Sequence, residues 1–141
     1  MAEREIRLLV NVDVDDLERA LAFYTEGLGL RLARRLGPRI AELEGASSSV
    51  YLTAHAPGSR PFPGAGGERV YDRHWTPVHL DFVVPELEPA VGRAVAAGAT
   101  REGDVHEYGW GRYAILADPF GNGLCLLQFL GPGYDALASA T

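Results

Sequence analysis

His79-Leu80-Asp81 sets an imidazole and a carboxylate two residues apart, and in a β-strand that spacing puts both on one face. A carboxylate beside an imidazole favours its protonated form, so the pair suits a proton carrier or a polar anchor for a ligand. The same rhythm occurs in Leu9-Val10-Asn11-Val12-Asp13, where Asn11 and Asp13 share a face with Leu9. The alternate positions are apolar in both segments: Val10, Val12 and Val14 in one, Leu80, Phe82 and Val84 in the other. These sets must face helices. A dry core would not collect two aspartates and an asparagine on the opposite faces, because each needs a partner when buried. Those faces therefore point to a partly wet cavity.

Two later strand candidates extend that surface. Alternation places Tyr51, Thr53 and His55 on the inner side of one, and Cys125, Leu127 and Phe129 on the inner side of the other. Aromatic and aliphatic walls with Asn11, Thr53, His79 and Asp81 as polar anchors have the make-up of a small-molecule pocket. Trp110, flanked by Gly109 and Gly111, suits a lid over a flat ligand or a plug closing one end of the fold, and Trp75 could play either part. Arg112 could clamp an anionic group or form a surface ion pair. His79 is the candidate catalytic residue, its alternative being a hydrogen-bonding histidine without chemistry. Cys125 is the single cysteine, which excludes an intrachain disulfide and a multi-cysteine metal site; it reads as a small apolar filler. His74 and His106 read as solvated loop residues.

The elements that must position these residues can be read from periodicity. Ile6 to Val14 predicts a strand, and Asp15 or Asp16 then caps a helix with Leu17, Ala20, Leu21 and Tyr24 on its buried face. Gly27 and Gly29 stop it, and strands are expected at 30–35, 39–44 and 49–55. A second strand begins near Val78. Pro85 and Glu86 open a helix over 87–97, which Gly98 closes, and strands follow near 100–102, 113–117 and 124–129. The order strand, helix, three strands thus occurs twice. Leu9-Val10-Asn11-Val12-Asp13-Val14 can be laid over His79-Leu80-Asp81-Phe82-Val83-Val84, with Leu17-Glu18 falling on Leu87-Glu88. The fold class is α+β: two βαβββ modules forming a cupped eight-stranded mixed sheet with helices outside. The chain reads as a single domain over 1–141, with modules at 6–56 and 78–131, a Pro- and Gly-rich linker at 57–77 and a tail at 132–141.

The formal net charge of −6 argues against a nucleic-acid or anionic-membrane binder, since either would need a basic face. No apolar run approaches the roughly 20 residues of a membrane span, and the first residues lack the pattern of a signal peptide, so a cytoplasmic location is the default expectation. The abundance of Ala, Gly and Arg suggests a bacterial source.

Three stretches carry a family resemblance. They are Val14 to Leu30 with its Gly27-Leu28-Gly29 turn, His79 to Val84 with Ala97-Gly98-Ala99, and Ala117-Asp118-Pro119-Phe120-Gly121-Asn122-Gly123 leading into the last strand. Together they resemble the vicinal oxygen chelate superfamily, which includes glyoxalases, bleomycin-resistance proteins and extradiol dioxygenases. The Asp-Pro-Phe-Gly-Asn stretch also reads locally as a tight hairpin turn without chemistry. The resemblance implies a homodimer. It also implies that metal-dependent members take ligands at positions mapping here onto Leu9, Tyr51, His79 and Cys125. Only His79 is of the usual ligand type, whereas a catalytic divalent site needs about three protein ligands. No cofactor is therefore expected at that place; an atypical site using His79, Asp81 and His55 is the remaining route to a divalent metal. The leading expectation is a small-molecule-binding protein with Asn11, Tyr51, Thr53, Trp75, Asp81, Trp110, Arg112 and Cys125 as ligand contacts. The alternative is a lyase, isomerase or dioxygenase working through an atypical metal or His79 acid–base chemistry. A third reading gives the pocket to sensing or assembly.

Overall fold

Valines alternating with Asn11 and Asp13 produce strand β1 (Val10–Val14) in the computed structural model, which describes residues 5–139. The strand is shorter than the apolar run that begins at Ile6, and Ile6, Leu8 and Leu9 remain exposed. Asp16 caps α1 (Leu17–Ala22) by accepting a 3.1 Å bond from the Arg19 amide. The helix then widens into a π-type turn, Phe23–Gly27, which buries Phe23 and Tyr24. Strands β2 (Arg31–Arg35), β3 (Ile40–Glu44) and β4 (Val50–Ala54) complete the module. β1 pairs parallel with β4, and β4, β3 and β2 pair antiparallel in turn. The arginine-rich β2 is exposed along its whole length and forms the outer edge.

The second module repeats the plan with β5 (Leu80–Val83), α2 (Leu87–Ala96), β6 (Thr100–Arg101), β7 (His106–Tyr108), β8 (Gly111–Ala117) and β9 (Gly123–Phe129). β5 pairs parallel with β9, which pairs antiparallel with β8. β6 and β7 both pair with β8, meeting opposite ends of it, so they are one outer strand interrupted between Arg101 and His106. Counting it once gives the expected eight strands. The β7 segment was not anticipated, and it moves His106 from a loop onto a strand. Glu86 caps α2 without its side chain; the Leu87 amide donates instead to Gln128 Oε1 at 2.9 Å. Among the described residues the sheet is two half-sheets of four and five strands rather than one continuous ladder.

What joins the halves is packing and one polar latch. A single buried cluster runs from Val14, Phe23 and Leu52 through Leu87, Phe120 and Leu126. At its edge the buried Asp118 carboxylate accepts four hydrogen bonds: from Tyr24 Oη at 2.7 Å, the Phe120 and Asn122 amides at 2.8 and 2.9 Å, and Asn122 Nδ2 at 2.9 Å. Tyr24 belongs to the first module and Asp118 to the second, so this turn ties them together. Burial, with the neighbouring Asp118 charge, pushes the Tyr24 phenol well above its ordinary value. Gly121 sits at φ +87° where a Cβ would lie 2.2 Å from the Asp72 carbonyl oxygen. The linker can pass at Asp72 only because that side chain is absent. The His74 amide then donates to the Gly121 carbonyl at 3.0 Å.

The linker residues 57–77 form no helix or strand beyond the isolated bridge between His74 and Asn122. After β9 the tail turns through a short 3-10 helix, Gly133–Leu137, while the last two residues of the expected tail lie outside the described ones. No helix among the described residues is long and apolar enough to cross a membrane.

Candidate functional site

Period-two alternation on three neighbouring strands builds the floor of a cavity on the inner face of the second module. Asp81 on β5 is opposite Cys125 on β9, which is opposite Ile115 on β8, and Tyr113 is opposite Leu127. With Trp75, His79, Trp110 and Tyr134 these residues line about 240 Å³. A larger opening of about 510 Å³ lies between β1 and β5 and includes Leu9, Asn11, Asp13, Val78 and Asn122; it shares Trp75 and His79 with the first cavity.

The walls are stacked aromatics. Trp110 lies 5.5 Å from Tyr108 with the rings nearly parallel, and 5.0 Å from Tyr134. Tyr108 stacks in turn on Tyr113, and His106 covers Tyr113 at 4.7 Å. The Trp110 carbonyl accepts from the Leu130 amide at 2.9 Å. Trp110 is thus a fixed wall in the β7–β8 turn, held at ring and backbone, rather than a lid on a loose loop. On the other side Trp75 meets the His79 ring edge-on at 5.4 Å, and the Arg73 guanidinium lies 4.5 Å from the Trp75 ring.

At the centre His79 Nε2 is 3.2 Å from Asp81 Oδ1. Cys125 is buried beside them, and its thiol is pushed up to about 11, first by burial and then by the charge of Asp81 and the hydrogen bond to it. A thiol held in that form is a poor nucleophile. Donor atoms of His79, Asp81 and Cys125 all lie within 4.8 Å of one another. Imidazole, carboxylate and thiolate together are a donor set that a zinc-like ion accepts, with positions left for water or substrate. That set comes from one module alone. The ligand positions implied for the first module offer nothing comparable: Leu9 has no donor atom, and the Tyr51 hydroxyl is bound to Glu42. The residues present therefore do not fit the two-module metal site implied by the resemblance, and fit a three-donor site within the second module. His55 belongs to neither; its Nε2 is 3.9 Å from Asp13, on the first module.

The structure thus brings together His79, Asp81, Cys125, Trp75 and Trp110, and sets the other expected contacts apart. Asn11 lines the opening between β1 and β5. Tyr51 donates to Glu42 at 2.7 Å, and Glu42 is also held by Arg34 at 3.0 and 3.2 Å. Thr53 donates to Asp13 at 3.1 Å and borders a separate recess of about 190 Å³ near Leu36 and His55. Arg112 does not reach the cavity: it pairs with Glu88, and its Nε lies 2.6 Å from Glu107. Alternation along β8 puts Arg112 on the face opposite Tyr113, which is why no clamp forms. His74 is exposed, its Nδ1 2.9 Å from the Asp72 carbonyl. Tyr113 and Ile115 could have been found by extending the same alternation to the penultimate strand. Tyr134 could not, because it arrives through the turn after Gly131, outside any strand.

A duplicated βαβββ plan with its polar residues gathered on the inner sheet face defines the vicinal oxygen chelate fold. Residues 9–127 match the model of the glyoxalase-like domain, and the chain belongs to that family. Among curated proteins, none matches it by sequence. Solved structures similar to it include a glyoxalase-related enzyme from Fulvimarina pelagi, 19% identical over 89% of this chain and 88% of that one, with a TM-score of 0.69. An antibiotic-binding protein from Streptomyces sp. CB03234 is 26% identical over 92% and 99%, with a TM-score of 0.63. A fosfomycin resistance protein from Listeria monocytogenes is 16% identical over 91% and 94%, with a TM-score of 0.65.

Proposed function

We propose that this protein binds a small planar organic molecule between the aromatic walls of the second module, without metal at the position implied by its family. One observation carries the reading: Trp75, Trp110, Tyr113 and Tyr134 converge on a cavity whose centre is polar and whose remaining wall is aliphatic. Flat rings gain most from such walls, through stacking and edge contacts beyond the area they bury. About 240 Å³ is at the small end for a ligand pocket, so it takes a compact aromatic or the planar part of a longer molecule that continues into the opening by Asn11. The Streptomyces antibiotic-binding neighbour supports the same reading. We place the protein in the cytoplasm as a homodimer. The exposed Leu8, Leu9 and Val78 beside the unpaired edges of β1 and β5 support pairing of copies there.

The His79–Asp81–Cys125 cluster favours a second reading: a lyase, isomerase or dioxygenase using a metal held by those three side chains, or acid–base chemistry at His79. Two measurements on protein purified without chelator or affinity metal separate the readings. Calorimetric titration with acridine and 9-aminoacridine should show saturable binding of at least one of them, and Trp110→Ala should weaken it tenfold or more. Elemental analysis should find less than stoichiometric metal. Failure of every three-ring probe to bind removes the first reading; a full equivalent of tightly held metal establishes the premise of the second.

A further inference from the structure

Resting on that reading, we infer that the ligand is a cation, a protonated or quaternary aromatic amine whose positive charge lies against Asp81 and whose ring system lies between Trp75 and Trp110. The argument is the charge inventory of the cavity. Of its nine lining residues, Asp81 is the one ordinarily anionic group, and His79, 3.2 Å away, is the only basic one. Both are substantially open, with about two-fifths of each side chain accessible. Apart from that imidazole, the Asp81 carboxylate meets no charged group within the aromatic-walled cavity. The faces of indole and phenol rings are negative too, and attract a cation placed over them.

No permanent cation opposes this. The 13 permanently cationic side chains of the protein are all arginine, and none lines the cavity among the described residues. The two that come near are engaged elsewhere. Arg73, lying on Trp75, is held by both oxygens of Glu102 at 2.5 Å, and Arg112 by Glu88 and Glu107. A carboxylate or phosphonate entering the well would meet Asp81 and find no guanidinium to pair with, although such groups are usually held by one. Cys125, buried and opposite Asp81 in the sheet, brings no positive charge to the carboxylate. The first module supplies a control within the molecule, because the residue at the position of Asp81 is there the neutral Asn11: Asn11 is opposite Tyr51 as Asp81 is opposite Cys125. Asparagine is therefore compatible with this strand position, and Asp81→Asn removes the charge with little change of shape.

The test is a charge series on one ring system. At about pH 8, 9-aminoacridine is a cation, acridine is neutral and acridine-9-carboxylate is an anion. Calorimetry should rank the cation at least tenfold tighter than acridine, with no measurable binding of the anion. Asp81→Asn should bring the cation to within about threefold of acridine, both measured on the same variant. In the wild type, added sodium chloride should weaken the cation and not acridine, which tests the inference without any variant. Equal affinity for all three probes, or preference for the anion, overturns the inference and leaves the reading of an aromatic binding site intact. No binding of any probe overturns both. A full equivalent of metal on Asp81, seen by elemental analysis of the wild type and lost in Asp81→Asn, also overturns it, since the carboxylate would then be a ligand.

Discussion

The two inner faces of this protein share one backbone plan and have opposite fates. In the first module, Asn11 stands opposite Tyr51 and Asp13 opposite Thr53; in the second, Asp81 stands opposite Cys125 and Val83 opposite Leu127. The first face satisfies itself. Tyr51 and Arg34 close on Glu42, and Asp13 receives Thr53 at 3.1 Å and Arg69 at 2.7 Å. Tyr51, Thr53 and Asp13 are partnered by side chains from neighbouring strands and from the linker, while Asn11 faces the opening between β1 and β5. The second face carries short residues at its centre, Asp81 and Cys125, and sends its large side chains to the rim. A cavity remains where the first module has a network. Duplication therefore fixed the frame, and side-chain length decided which copy kept room for a ligand.

The comparison treats the halves as separable in function but joined in stability, and the joint gives the largest expected effect. Tyr24→Phe removes one of the four bonds to the buried Asp118 carboxylate. A hydrogen bond to a charged group of this kind is worth about 1.5–3 kcal/mol. Urea denaturation should show a loss of that size in one cooperative transition, with calorimetric affinity for the aromatic probe nearly unchanged. Two separate transitions would show that the modules fold independently, and the shared core would then be less binding than its continuity suggests.

Sequence periodicity already contained the frame, because alternating apolar and polar residues must put Val10, Val12 and Val14 on one side and Asn11 and Asp13 on the other. It also contained the half of the site that lies on strands β5 and β9. It missed β7, a three-residue strand whose polar sequence His106-Glu107-Tyr108 has no apolar alternation to announce it. It also gave no means of separating a polar group that faces a cavity from one that is satisfied across the sheet. Tyr51 and Thr53 have the same sequence signature as Asp81, and only the reach of Arg34, Glu42 and Asp13 removes them from the site. Arg112 failed for a different reason: its position one residue from Tyr113 reverses its face.

A direct exchange sharpens the comparison at the next level of effect. Cys125→Tyr places in the second module the residue that fills the equivalent position of the first. The tyrosine ring would take up much of the 240 Å³ cavity, and affinity for the aromatic probe should fall at least tenfold, about 1.4 kcal/mol. Overpacking near Ile115 and Leu127 would cost about 1–3 kcal/mol of stability if the ring could not enter the cavity. A stable variant without binding therefore locates the ligand, while undiminished binding would move it to the opening between β1 and β5.

The smallest effect expected belongs to the closed face and reads its charge state. The Glu42 carboxyl is held below its ordinary value of 4.5, chiefly by the hydrogen bonds from Arg34 and then by that from Tyr51, with burial opposing. A carboxyl lowered on folding contributes stability that is complete above its unfolded value and is lost as pH falls through the folded one. Glu42→Gln removes that contribution. The urea midpoint of the variant should be below that of the wild type at pH 7, and the gap should close as pH falls below about 4.5 and the wild-type carboxyl protonates. Probe binding at pH 7 should be the same in both proteins. A gap that persists unchanged into acid would mean that the network is held by shape rather than charge. A change in probe affinity would mean that the closed face and the open one are not independent after all.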